Sequence, residues 1–446
     1  MTNGDRPGWR ARATGSVLGI RDFRLLWAGQ AVSAIGDMVF PVAIAVRVLD
    51  EGGSAGDLGL VLAARSLSLV LFVIVGGVVA DRLSRTRVMM GADVLRAVAA
   101  GVLVVSPADL PVAALAAVTF VIGAGEAFFR PAYGAVVPSV VPEDRLAAAN
   151  GATSVALNSA HVIGPALAAV LVATVGWRTA FAVDGVTFLV SLVTLVRIRE
   201  PARPPTTGRT SAVREALAGV RAVRERPWIL AVLVYFALHL MISLAPVIVL
   251  RPVIVAERFG NRALLGVLLT AFGLGAVAGG ILATRWRPRL AGVVAMSGLL
   301  PVALAILALA YSPWLWLIVA AEFAAGIGIE LFQVNWVTSL QRDVPRHLLA
   351  RVVSLDWMLS LALLPLGLAL AGPVSDAVGQ QAVLTVSAVV CSLGLVVLVF
   401  PGVPQFASVG RPEIDPTTRP DPPFTTIESG ALLAEPGALP APSGGL

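Results

Sequence analysis

Apolar residues run along this chain in long blocks separated by short polar stretches. Each block is about as long as a helix needs to cross the hydrocarbon of a bilayer. The pattern predicts twelve spans, at residues 23–46, 58–80, 88–105, 112–129, 149–175, 179–196, 228–250, 264–283, 291–310, 314–336, 352–374 and 382–400. A polar, basic segment at 1–22 precedes them and lacks the short apolar region and small-residue cleavage site of a removable signal peptide. The pattern breaks again at 197–227. Pro201, Pro204 and Pro205 stand there, followed by an amphipathic stretch around 213–223 with Arg214, Arg221, Arg224 and Arg226. This predicts a linker with a helix on the membrane surface. Residues 401–446, rich in Pro, Gly, Ser and Thr, are expected to form a disordered tail. The organisation expected is thus two six-helix bundles, 23–196 and 228–400, joined by a cytoplasmic linker.

Composition agrees with insertion: 57% of residues are hydrophobic and 13% charged, with a mean hydropathy of +0.87, too apolar for an ordinary soluble domain. The net charge of +6 lies in loops between spans, not on one soluble face, so nucleic acid is not an expected partner; the lipid bilayer is. Arginines gather at Arg82, Arg85 and Arg87, at 197–226, at Arg285, Arg287 and Arg289, and at Arg342, Arg346 and Arg351, while the alternate loops are poorer. Arg251, Arg258 and Arg262 are the exception. The positive-inside rule then places both termini in the cytoplasm of a multi-pass plasma-membrane protein. The single cysteine, Cys391, excludes an intrachain disulfide and a thiolate metal cluster. No Gly-x-x-x-x-Gly-Lys loop is present to bind ATP, and His161, His239 and His347 show no ligand spacing. No cofactor, metal site or catalytic constellation is implied.

One loop stands out. Gly76-Gly77-Val78-Val79-Ala80-Asp81-Arg82-Leu83-Ser84-Arg85-Thr86-Arg87 joins two apolar runs, and Gly279-Gly280-Ile281-Leu282-Ala283-Thr284-Arg285-Trp286-Arg287 repeats it at an offset of 280 − 77 = 203 residues. The same offset carries Gly123, Gly125, Phe129, Pro142, Gly164 and Gly176 onto Gly326, Gly328, Phe332, Pro345, Gly367 and Gly379. One ungapped shift over that length argues for two parallel halves. Thr284 stands where the first copy has Asp81, so the acidic function belongs to the first half.

The loop resembles that between helices 2 and 3 of the major facilitator superfamily, Gly-x-x-x-Asp-Arg-x-Gly-Arg-Arg/Lys. Gly77, Asp81, Arg82 and Arg85 match; Ser84 replaces the glycine and Thr86 the base, with Arg87 one residue later. Gly280, Arg285 and Arg287 are the second-half counterparts. Phe128-Phe129-Arg130-Pro131-Ala132-Tyr133, with Phe23-Arg24-Leu25-Leu26-Trp27 and Gly36-Asp37, is similar to the bacterial macrolide-efflux and siderophore-exporter branch. Gly164-Pro165 resembles part of the helix-5 motif of drug antiporters, where a kinked helix 5 packs against helix 8. The resemblance implies an all-α membrane fold of two pseudo-symmetric six-helix bundles. It implies alternating access around a cavity lined by spans 1, 4, 7 and 10, proton-coupled efflux of an amphipathic small molecule, and a monomer. A metabolite importer or facilitator is the alternative on the same fold; a membrane enzyme or scaffold is remote.

Ionisable residues within spans are functional candidates, because a charge at mid-membrane costs about 2.5–3.5 kcal/mol on insertion scales. Asp37 in span 1 and Glu126 in span 4 lead as proton or substrate residues. Glu322 and Glu330 in span 10, Arg65 in span 2 and His239 in span 7 follow, and Asp184 lies in span 6. A structural ion pair of Asp37 or Glu126 with Arg65 is the alternative role. Asp93, Arg96 and Asp356 are expected near the cytoplasmic ends, paired with loop arginines.

Overall fold

The computed structural model describes residues 16–200, 220, 221, 223–286 and 288–406. Among them are twelve helices long and apolar enough to cross a membrane. These are α1 (Arg21–Asp50), α2 (Ala55–Arg82), α3 (Arg85–Val105), α4 (Val112–Val140), α5 (Leu146–Thr174) and α6 (Trp177–Val196). The second six are α7 (Pro227–Phe259), α8 (Leu264–Arg285), α9 (Ala291–Tyr311), α10 (Leu315–Asp343), α11 (Arg351–Val378) and α12 (Gln380–Val397).

Several helices outrun their apolar blocks. α4 continues to Val140 through Pro131 and Pro138, and α7 continues to Phe259 through Pro252. A proline inside a helix removes one hydrogen bond, but neighbouring helices hold these segments in place. α7 also contains a π-turn at Leu240–Leu244. Polar signals set the ends. Ser54 and Asp57 form a reciprocal capping box at the start of α2. α7 stops at Gly260, whose φ of 63° is left-handed.

The offset of 203 residues recurs in the packing. Gly164 brings α5 onto α1 at Met38, and Gly367 brings α11 onto α7 at Met241. Gly125 seats α4 against α3, and Gly328 seats α10 against Gly298 of α9. Gly176 and Gly379 both precede a helix with φ of 87°. The two six-helix bundles are therefore structural repeats as well as sequence repeats.

The bundles interlock at the end opposite the arginine loops. Gly59 of α2 lies so close to α11 that a Cβ there would stand 2.4 Å from the Leu368 carbonyl oxygen, and one on Gly372 would stand 2.3 Å from Gly56 Cα. Gly266 of α8 meets the Pro165 carbonyl of α5 in the same way, at 2.4 Å. Arg262, after α7, forms an ion pair with Asp50 at the end of α1 and donates to the Leu49 carbonyl at 2.8 Å. Arg258 caps the end of α9, donating to the carbonyls of Leu309, Ala310 and Ser312 at 2.7–3.0 Å. These arginines, out of place by charge asymmetry, thus close helix ends and the seam between bundles.

The expectation of a disordered tail from residue 401 does not hold for its first six residues. Residues 401–406 fold back on the second bundle. Phe406 is fully buried and packs against Trp228, Phe332 and Trp336. Arg342 donates to the carbonyls of Gln405 and Phe406 at 3.2 Å. The rest of that tail, and most of the amphipathic linker helix, lie outside the described residues.

Candidate functional site: a buried charge cluster in the first bundle

Five of the first six helices contribute ionisable side chains to one cluster. Asp37 comes from α1, Arg65 from α2, Asp93 and Arg96 from α3, Glu126 and Arg130 from α4, and Asp184 from α6. Arg65 Nη2 donates to Glu126 Oε2 at 3.1 Å and stands 4.0 Å from Asp37 Oδ1. Arg130, one turn below, pairs with the other oxygen of Glu126. Arg96 pairs with Asp93 within its own helix and stands 3.6 Å from Asp37 Oδ2. Small residues make the convergence possible. A Cβ at Gly125 would meet Arg96 Cγ at 2.6 Å, and one at Gly36 would meet Asp184 Oδ1 at 2.7 Å. Aromatic rings complete the walls: Arg65 lies over Phe40, and Arg96 over both Phe129 and Phe188, at 4.3–4.5 Å. The ring faces partly replace water for these cations.

The two leading carboxylates are held differently. Glu126 is clamped by two guanidiniums. Asp37 has only the longer contacts to Arg65 and Arg96, and its side chain is the most exposed of the four carboxylates, at 19% against 11% for Glu126. Asp93 and Asp184 are fully buried. Sequence reasoning expected Asp93 and Arg96 near a helix end beside loop arginines. The structure instead buries both within the bundle, Arg96 at 1% exposure. Spacing carried the signal: Asp93–Arg96 is i,i+3 and Glu126–Arg130 is i,i+4, partners on one helix face.

The second bundle is sparser. Glu322 of α10 is buried and faces Arg251 of α7, Oε1 to Nε 3.1 Å. Arg251, expected in a loop, lies inside α7 because that helix runs past residue 250. Glu330 is half-buried, with its chain against Gly279 and Gly280 of α8; His161 of α5 is its titratable neighbour across the seam. His239 is buried between Tyr235 and Phe236, and its Nδ1 has no hydrogen-bond partner. Asp356 accepts from Trp336 Nε1 at 3.1 Å and from Ser360, in place of the loop arginine expected.

At the first arginine loop, Arg82 and Arg87 are exposed, and Arg85 donates to the Ala135 carbonyl of α4. The Asp81 side chain and Arg287 lie outside the described residues, and Arg285 is exposed. Of the two glycines that open the loop, only Gly76 makes a close backbone contact: a Cβ there would stand 2.4 Å from the Ala127 carbonyl, whereas one on Gly77 meets nothing within 4 Å. The two departures from the loop pattern share a partner. Ser84 donates to Glu200 at 2.6 Å and Thr86 Oγ1 at 2.9 Å, with the backbone N–H groups of Arg85 and Thr86 at 3.2 Å. Burial opposes the Glu200 charge, but these donors outweigh it and hold the carboxyl below the usual glutamate range. Glu200, just past α6, thereby caps the start of α3. Gly164 and Pro165 sit inside an unbroken α5, against α1 and α8 respectively.

A family described as transmembrane secretion effector, of the major facilitator class, matches residues 14–425. The multidrug efflux pump Tap of Mycobacterium tuberculosis (strain ATCC 25618 / H37Rv) is 30% identical over 415 residues, covering 88% of this chain and 96% of that protein. Macrolide efflux protein A of Streptococcus pyogenes is 26% identical over 365 residues, covering 80% and 90%. Among solved structures, a bacterial homologue of the human lysosomal transporter Spinster superposes with a TM-score of 0.67 at 17% identity, over 86% of this chain and 95% of that one. The nucleoside transporter NupG superposes at 0.66 and 13%, over 84% and 98%.

Proposed function

From the premise that this chain belongs to the transmembrane secretion effector family of major facilitator transporters, we propose that it exports amphipathic small molecules, macrolides among them, in exchange for protons. The observation that carries proton coupling is the charge balance of the first-bundle cluster: four carboxylates, Asp37, Asp93, Glu126 and Asp184, surround three guanidiniums, Arg65, Arg96 and Arg130. Fully ionised, the cluster carries one negative charge in a medium where an uncompensated charge is costly. Taking up one proton neutralises it.

Asp37 is the carboxylate through which water reaches the cluster, being the most exposed of the four and more loosely paired than Glu126. Glu126, locked between two arginines, keeps the α2–α4 packing and the field around Asp37. Glu322 and Glu330 lie on the opposite bundle, where a substrate spanning the central path would meet them. The arginine loops face the cytoplasm under the positive-inside rule, so interlocking at the other end leaves the path directed inward, ready to load substrate. The Asp81–Arg87 loop acts as the cytoplasmic gate. Direction of transport comes from the relatives, which are efflux proteins by name; a proton-independent facilitator is the alternative on the same fold.

The test is erythromycin and ethidium flux in proteoliposomes under an imposed pH gradient. Wild type accumulates either compound against its gradient, Asp37→Asn does not, and Glu126→Gln lowers stability as well as flux. Gradient-independent wild-type flux would make the protein a facilitator.

A further inference from the structure

Asp184 is the one carboxylate of the cluster without a partner. It lies on α6, is fully buried, and neither Oδ1 nor Oδ2 has a hydrogen-bond donor. The neighbouring hydroxyl does not solvate it: Thr187 Oγ1 donates to the Asp184 backbone carbonyl at 2.7 Å. Over it lies the backbone of α1, where even one methyl at Gly36 would collide with the carboxylate and with Thr187 Oγ1 at 2.7 and 2.2 Å. Each guanidinium already serves another acid: Arg65 and Arg130 serve Glu126, and Arg96 serves Asp93 and Asp37.

The groups around Asp184 come from every helix packed near it. Asp37 of α1 and Glu126 of α4 repel its charge, and Arg65 of α2 and Arg96 of α3 attract it across a distance. Asp93 of α3 and Arg130 of α4 complete the cluster. His161, the titratable residue of α5, stands at the α8 seam. An ionised carboxylate without donors in such a site pays its desolvation without return. Protonated, it is neutral and the cluster balances at three charges of each sign.

We infer that Asp184 is the proton-binding residue of the coupling site, its carboxyl O–H breaking and reforming as water reaches the cluster through Asp37. On release the proton passes to that water, and the cluster keeps the electron pair as one net negative charge beside α1. Asp37 is the neighbour of Gly36, so the negative charge left behind lies next to the one carboxylate open to the path. Cationic substrate or the next proton is drawn to it. This inference rests on the proton-coupled account given above.

Two measurements separate the two claims. The first uses no substrate: infrared difference spectra of purified full-length protein between acid and alkaline pH. Wild type shows, in the acid state and not in the alkaline one, the C=O stretch of a protonated carboxyl; Asp184→Asn loses that band and Asp184→Glu moves it. A band unchanged in both variants, or missing from wild type, overturns the assignment. The second is erythromycin flux in proteoliposomes. Asp184→Asn should lose accumulation driven by a pH gradient yet retain exchange without one, while Asp184→Glu regains part of the driven flux. Full gradient-driven accumulation by Asp184→Asn overturns the role of Asp184 and leaves proton coupling standing. Wild type that ignores the gradient overturns coupling itself.

Discussion

The seam at Gly59 sets the balance between conformations, and a single methyl tests it. In Gly59→Ala the added carbon would stand 2.4 Å from the Leu368 carbonyl oxygen, against an ordinary contact of 3.4 Å or more. α2 and α11 must separate by about 3.4 − 2.4 = 1 Å at that point. Overpacking of this kind costs about 1–3 kcal/mol. The gain in helix propensity from Gly to Ala, about 1 kcal/mol, applies whether the seam is closed or open and drops out of the ratio. At about 1.4 kcal/mol per tenfold, the closed-to-open ratio at this end falls by about 5- to 150-fold. Nitroxide labels at Glu51 and Asn261, in a Cys391→Ala background, report the separation of the bundles by pulsed electron resonance. Gly59→Ala should move the distance distribution outward. Gly77→Ala is the control: its methyl meets nothing within 4 Å, and the distribution should match that of the parent. An unchanged distribution in Gly59→Ala, or the same shift in both, refutes the steric account.

Three further outcomes follow from named contacts. Glu200→Ala removes the cap of α3 and should cost about 0.5–2 kcal/mol of stability. Because the folded carboxyl lies below the usual glutamate value, this contribution is complete above that value and is lost as pH falls through the lower folded one; acid unfolding of wild type and Glu200→Ala should therefore converge at low pH. Glu322→Gln leaves the partly buried Arg251 without its counter-charge, a loss of up to about 3–5 kcal/mol. It should lower the melting midpoint in detergent more than Glu330→Gln, whose carboxyl is half-buried and faces no arginine within ion-pair distance among the described residues; equal midpoints would count against the pair. Removing residues 407–446 should leave insertion and melting unchanged, whereas removing 401–446 uncovers Trp228 and Trp336 and forfeits the burial of Phe406, about 1.5–3 kcal/mol. Equal melting of the two truncations would show that the docked segment contributes nothing.

Hydrophobic blocks and the repeat carried most of the fold. A span is written in some twenty consecutive side chains, and one offset of 203 residues locates matching glycines that pack alike, Gly164 on Met38 and Gly367 on Met241. Helix ends were less legible, because α4 and α7 extend as amphipathic helix past their apolar runs, and Pro138 and Pro252 look like stops when seen alone. The site was half legible. Asp37, Glu126 and Arg65 stand out as charges in apolar surroundings, and they do converge. Arg96 and Asp93 did not stand out, because their place near the start of a span resembled a snorkelling end; what buries them is Gly125 on the facing helix, a long-range feature. Asp184 was visible as a charge, but its lack of a donor depends on how α1 passes over it at Gly36. Glu200 was hidden because capping joins residues more than a hundred positions apart, and the clue was the pair of departures, Ser84 and Thr86, from the loop pattern.

Proton exchange is tested most directly by letting substrate do the work. Proteoliposomes loaded with erythromycin and a pH-sensitive dye are diluted into substrate-free buffer at equal pH, with membrane potential clamped. If each molecule leaves in exchange for a proton, the lumen acidifies as erythromycin departs, and Asp184→Asn vesicles show efflux without acidification. Erythromycin efflux from wild-type vesicles at constant lumenal pH would contradict the account.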